Sequence, residues 1–313
     1  MSADLSRRNL LAAFPAALAI PSVRPPHAAP DRPPGRFRFS LNTSTIRGQK
    51  LGIADEVKLA AKVGYEGIEP WIGELQEYVK AGGSMAELAK LISDSGLTVI
   101  DAIGFAEWSV DDETRRKQGL ENLKRDMEMV AELGGKRIAA PPTGMTDRAD
   151  ADYGKLAERY RAACEVGEKQ GITPLVEVWG FSKAITRLGQ AAQIAIDSGF
   201  PGAAILPDIY HLYKGGSDFH GLGLLQPAAL PILHMNDYPA NLSREAIKDE
   251  HRVYPGDGIG PIADTLKTLR GIGFDGWLSL ELFNREYWSQ DAELVARTGL
   301  RKMKAVAETG RSE

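Results

Sequence analysis

Eight short apolar runs alternate with helix-patterned segments from residue 37 onward, and this alternation restricts the fold more than any other feature of the chain. The runs cover residues 37–42 (FRFSLN), 65–72 (YEGIEPWI), 97–103 (LTVIDAI) and 135–142 (GKRIAAPP), then 172–179 (ITPLVEVW), 202–208 (GAAILPD), 230–237 (LPILHMND) and 276–282 (GWLSLEL). Each is the length of a buried strand and is bounded by turn residues. The segments between them, such as IADEVKLAAKVG and SMAELAKLISDSG, carry apolar residues at helical spacing and close on a glycine suited to a helix C-cap. Strand followed by helix, eight times over ~250 residues, predicts an α/β chain closed as a (β/α)8 TIM barrel, with its active site at the carboxyl ends of the strands. A doubly wound open sheet is the alternative. It needs a Gly-rich phosphate loop after the first strand, where this chain has SLNTSTIRG. The longest connection, YPANLSREAIKDEHRVYPGDG, separates the last two strands and has the length of a functional or mobile loop.

The chain ends and the charge narrow the class. Residues 1–29 read as a twin-arginine export signal, because Arg7 and Arg8 precede an apolar stretch of about a dozen residues, short of the ~20 that a membrane span needs. Residues 30–36 read as a Pro-rich linker and 37–313 as the barrel. The expectation is a periplasmic or extracytoplasmic protein with no stable membrane insertion. A net charge of −4 and a pI near 5.9 leave no basic face for nucleic acid. Cys164 is the only cysteine, so no internal disulfide forms and stability comes from the core, where Cys164 itself is expected.

In each of the last four strands the apolar run breaks at its carboxyl end into a polar residue: Glu177, Asp208, His234 and Glu281. Strand side chains alternate, so Glu177 shares a face with Leu175, Asp208 with Leu206, His234 with Ile232 and Glu281 with Ser279. A single strand glutamate can be salt-bridged, and a single histidine can be a satisfied core group. Four at equivalent positions on successive strands place three carboxylates and an imidazole together, which repel and desolvate badly unless a cation holds them. The mixed oxygen and nitrogen set suits a divalent metal ion, Mn²⁺ first, with Mg²⁺, Co²⁺ or Zn²⁺ as alternatives.

These strand ends, together with GYEGIE, Asp208-x-x-His211, HMND and RVYPGDG, resemble the xylose-isomerase-like TIM barrel family of sugar isomerases and epimerases, related to ketose 3-epimerases and inosose dehydratase. The resemblance covers roughly residues 37–305. It implies that Glu177, Asp208, His234 and Glu281 bind the metal, that His211 hydrogen-bonds a substrate oxygen and that Arg252 reaches over the substrate. It also implies a small-molecule sugar substrate and leaves a homo-oligomer open. Two residues depart from the family pattern. Asn236 stands where relatives often have lysine, and Lys183 stands where ketose 3-epimerases have a second carboxylate, which puts a simple ketose 3-epimerase in doubt.

A metal that holds a carbonyl and a neighbouring hydroxyl acidifies the C–H between them by stabilising the enediolate. Glu177 and Glu281 are the expected acid/base groups and His211 the oxyanion stabiliser. Returning the proton gives an epimer or an isomer. Expelling a β-substituent instead gives a lyase or dehydratase acting on a keto-sugar, an inosose or a 3-keto-glycoside, so that class competes. Trp179, two residues after Glu177, and Trp71 are candidates for substrate binding, and Phe105 and Trp108 could extend the apolar wall. Tyr287 and Trp288 could form a lid or a contact between copies. With no clear phosphate cradle, the expected substrate is unphosphorylated. A non-catalytic sugar-binding barrel is the alternative from another class. An abasic-site endonuclease would need more histidines than the five present.

Overall fold

A computed structural model describes residues 36–309. Residues 1–29, read above as an export signal, and all of the expected linker at 30–36 except Arg36 lie outside the described residues. Eight strands occur within them: β1 (Arg38–Asn42), β2 (Gly67–Glu69), β3 (Thr98–Val99), β4 (Arg137–Ala140), β5 (Thr173–Glu177), β6 (Ala204–Leu206), β7 (Ile232–Met235) and β8 (Trp277–Leu280). All ladders are parallel, in the orders β3-β2-β1-β8-β7 and β4-β5-β6. Two backbone bonds close the gaps between these sheets. Ala139 N–H donates to Ala102 O at 2.9 Å, and His234 N–H donates to Pro207 O at 3.0 Å. The ring is therefore complete, as the alternation predicts.

The observed strands stop short of the expected runs. Proline ends several of them, at Pro70, at Pro141–Pro142 and at Pro207, because it brings no N–H to the ladder. The carboxyl ends are thereby freed for loops while the inward and outward alternation persists.

That alternation divides the core in two. Ile100, Ile103, Ala139, Leu175, Ala204, Leu206, Ile232 and Trp277 pack together as one cluster, with Trp71 at its edge. Their outward neighbours, among them Ile68, Val176, Ile205, Leu233 and Leu278, join helix residues such as Val57, Leu88, Leu123, Tyr160, Leu266 and Met303 in the larger layer. Cys164 is buried there, on the helix Tyr153–Glu168. No helix among the described residues is long and apolar enough to cross a membrane.

Trp108 is not part of an apolar wall at the mouth. It is fully buried, donates from Nε1 to Pro141 O at 2.9 Å and packs its edge on Tyr160. A polar contact had to be found for its indole N–H, and the fourth strand's proline carbonyl supplies it. Tyr287 stacks on Tyr254 with centroids 4.1 Å apart, Trp288 donates from Nε1 to Ser44 O at 2.9 Å, and both remain half-buried.

Candidate active site

Asp208, His234 and Glu281 each offer a ligand atom within 4.8 Å of the others, and all three are buried. Asp208 also caps the helix Ile209–Gly215. Its Oδ1 accepts from His211 N–H at 2.7 Å, which leaves Oδ2 for the site. Asn236 donates to that Oδ2 at 2.6 Å and accepts from Tyr210 N–H at 2.8 Å, so Asn236 orients Asp208. Glu177 lies beside the group but is not among the three that converge within 4.8 Å.

Two buried atoms here have no hydrogen-bond partner, His234 Nδ1 and Glu177 Oε2. His234 Nδ1 is 3.3 Å from Glu281 Oε2 and 3.9 Å from Asp208 Oδ2. Burial opposes protonation of His234, but Glu69 and Glu281 hold its pKa well above the usual range. A cation would take the place of that proton. An imidazole nitrogen and carboxylate oxygens converging in a buried site, with His234 Nδ1 orphaned among them and Glu177 Oε2 orphaned beside them, fit a divalent ion.

Sequence reasoning missed the residues beneath this cluster. Glu69, at the end of β2, meets His234 Nε2 through Oε1 at 3.0 Å. Its Oε2 accepts from Asn42 Nδ2 at 2.8 Å and from Ser279 Oγ at 2.6 Å, and all four residues are fully buried. Asn42 Nδ2 also reaches Glu281 Oε1 at 3.3 Å. The arrangement fixes the His234 ring with Nδ1 toward Asp208 and Glu281, as a carboxylate behind a ligating histidine does. Asp101 is buried nearby with neither oxygen partnered, and desolvation and then Glu69 push its pKa well above the carboxylate range. Both acids break apolar runs near strand ends, in YEGIEP and VIDAI, so the rule that selected the last four strands would have found them in the second and third.

Arg252 is 1% exposed and is not a solvated loop charge. Its Nη1 donates to Asp208 Oδ2 at 3.0 Å and Glu281 Oε2 at 2.7 Å, its Nη2 donates to Asp249 at 2.5 Å, and its plane lies over Tyr210 and Phe283. In chelator-treated protein, Arg252→Ala is expected to cost about 3–5 kcal/mol in urea unfolding, because it strands two buried carboxylates, with part of the loss recovered on adding Mn²⁺. Unchanged stability of the metal-free variant would contradict this role.

His211 lies against Arg252. Gly180 N–H donates to its Nδ1 at 3.2 Å, which places the proton of the neutral ring on Nε2, 3.1 Å from Arg252 Nη2. Burial, then Arg252, lower the His211 pKa, so the neutral ring is the stable form. Two donors therefore meet at one point, and an acceptor oxygen placed beside them would satisfy both. A Cβ on Gly180 would sit 2.4 Å from His211 O, so this close approach requires glycine.

The two candidate acid/base carboxylates have opposite protonation. Desolvation raises Glu177 to about 8. Burial would also raise Glu281, but His234 and Arg252 hold it well below the carboxylate range. In metal-free protein, the stabilising contribution of Glu177 is full below its ordinary value of 4.5 and is lost as pH rises through about 8. The melting temperature of chelated protein is therefore expected to fall between about pH 5 and about pH 8, and Glu177→Gln to flatten that slope. Identical pH profiles for the two proteins would refute it.

Elsewhere at the mouth, Trp71 donates from Nε1 to Asn42 Oδ1 at 2.9 Å and carries Arg47 over its ring at 3.7 Å. Trp179 is half-buried and stacks on Phe181. Lys183 is exposed, with its Nζ 3.7 Å from Asp147 Oδ1. Asp237, the end of HMND, accepts N–H bonds from Gly256, Gly258 and Gly260 and thereby fixes the loop that bears Asp257, whose own carboxylate pairs with Lys302.

The sequence model of the xylose isomerase-like TIM barrel family matches residues 57–306. The chain belongs to this family. It is 26% identical over 278 residues to an inosose isomerase of Bacillus velezensis, which spans 86% of this chain and 97% of that protein. It is 23% identical over 274 residues to a 3-dehydroshikimate dehydratase of Pseudomonas aeruginosa, covering 87% of this chain and 42% of that longer protein. Among solved structures, the IolI protein with a zinc atom aligns with a TM-score of 0.81 at 23% identity, over 88% of this chain and all of that one. These relatives are named as an isomerase and a dehydratase, and the chain is an enzyme of their family.

Proposed function

We propose that the protein is a divalent-metal-dependent sugar isomerase or epimerase that removes a proton from the carbon beside a carbonyl, through an enediolate, on an unphosphorylated sugar or sugar derivative. The observation that carries this reading is the buried convergence of Asp208, His234 and Glu281, with the paired donors of His211 and Arg252 beside it and Glu177 and Glu281 pushed in opposite pKa directions. Two carboxylates whose surroundings drive their pKa values apart are suited to serve as acid and base across one carbon. Asp208, His234 and Glu281 would hold the ion, and Glu177 beside them would serve as the acid rather than as a ligand. The chemistry such an ion would supply there is polarisation of the carbonyl and the adjacent hydroxyl. Mn²⁺ is our first choice, and the zinc in the IolI structure keeps Zn²⁺ within range.

The remaining steps fall to the chain itself. Glu281, ionised, accepts the proton, and Glu177, protonated, delivers one to the enediolate. His211 Nε2–H and Arg252 Nη2 meet where they could hold a substrate oxygen, and burial of both keeps water out. Trp71 and Trp179 flank the reacting sugar.

A second reading, a lyase or dehydratase on a keto-sugar, inosose or 3-keto-glycoside, is favoured by the relative named a dehydratase and by Lys183 in place of the epimerases' second carboxylate. We also propose export by the twin-arginine route, from Arg7 and Arg8 and the apolar stretch after them.

Incubation in D₂O with ketoses, inososes and 3-keto-glycosides, with Mn²⁺ or with chelator, tests these readings by NMR. Deuterium in an epimer or isomer supports the first, and an unsaturated product supports the second. Sugar binding without exchange, indifferent to chelator, would leave a binding protein.

A further inference from the structure

The rings at the mouth form a chain that extends beyond the metal-ligand cluster. Phe283 meets Trp71 at 5.9 Å between centroids, Trp71 meets Phe105 at 5.2 Å, Phe105 meets Trp179 at 6.1 Å, and Trp179 stacks on Phe181 at 5.1 Å and 29°. Phe181 in turn lies 5.7 Å from the ring of His211. Both ends of the chain thus touch the site, since Arg252 lies over Phe283 at 4.9 Å.

Most of these rings are partly covered, but Phe105 is 43% and Phe181 46% exposed. Among the described residues, no other Phe, Tyr or Trp is exposed. Leaving two phenylalanines in water forgoes hydrophobic stabilisation that the fold could otherwise use, and adjacent exposed rings mark a contact surface for something apolar. The faces of Phe105, Trp179 and Phe181 carry no cation–π partner among the described residues, unlike Trp71, which Arg47 covers. Such a surface takes up an uncharged ring that can lie flat against it. Trp179 stands two residues beyond Glu177, so a ring on Trp179 and Phe181 would adjoin a sugar held at the cluster.

We propose that Phe105, Trp179 and Phe181 form a subsite for a second, uncharged ring, so that the substrate is a two-ring compound, a glycoside or disaccharide, rather than a free monosaccharide. This rests on the reading of the mouth as a sugar site. A pyranose and an aryl aglycone share the required feature, an uncharged apolar face.

The test is calorimetric titration of the Mn²⁺-loaded protein with glucose, cellobiose and 4-nitrophenyl β-glucoside, repeated on Phe105→Ala/Phe181→Ala. Binding of at least one two-ring ligand roughly tenfold tighter than glucose, with the preference lost in the double variant, is expected. A preference for cellobiose alone identifies a second sugar, and one for the nitrophenyl glucoside alone an aryl group. Equal affinities, a preference that survives the substitutions, or no binding of either two-ring ligand at about 10 mM would overturn the proposal. Circular dichroism melting confirms that the variant is folded. Should proton exchange be absent while the preference holds, the enediolate reading fails and the subsite stands.

Discussion

Glu177→Gln is expected to abolish metal-dependent C–H exchange, by roughly 10²–10⁴-fold, while the protein still binds its metal. The reason is geometric: Asp208, His234 and Glu281 converge without Glu177, so an amide there removes the proton donor and spares the cluster. Glu281→Gln should lose as much exchange and also weaken metal binding, because Glu281 belongs to that group and faces His234 Nδ1. Exchange followed by NMR, with metal content measured on the same samples, separates the two variants. Near wild-type exchange in Glu177→Gln would remove it from the chemistry.

The second large effect lies behind the ligands. Glu69→Gln is expected to lower affinity for Mn²⁺ about 10–100-fold, although Glu69 is not among the three converging ligands. The carboxylate accepts at His234 Nε2 and is held by Asn42 and Ser279, so its charge and its orientation both direct Nδ1 toward the site. An amide has no charge and can present its NH₂ to the ring. Competition with a chromophoric chelator reads the affinity directly, and melting without metal checks the fold. Unchanged affinity would reduce Glu69 to a packing group.

The barrel was legible because period-2 runs and helical segments alternate throughout the chain, and a local pattern repeated eight times has few closed arrangements. Asp208, His234 and Glu281 were legible for a related reason: parity and strand-end position fix where such side chains point. Trp108 was not, since a tryptophan after a strand reads the same whether it lines a mouth or packs on Tyr160. Glu69 and Asp101 fell in runs whose ends were blurred by Pro70 and by a two-residue third strand. The depth of Arg252 was hidden because the sequence around it, SREAIKDEHR, is charged throughout, and only the tertiary contacts with Asp208, Glu281 and Tyr210 distinguish it.

The most direct measurement is deuterium exchange at the carbon beside the carbonyl of an inosose, followed by NMR, in protein stripped with chelator and then titrated with Mn²⁺. Exchange that is absent in the stripped protein and returns at one ion per chain would support the account. Exchange indifferent to chelator, or a metal that binds at one ion per chain without exchange on any sugar of the panel, would contradict it.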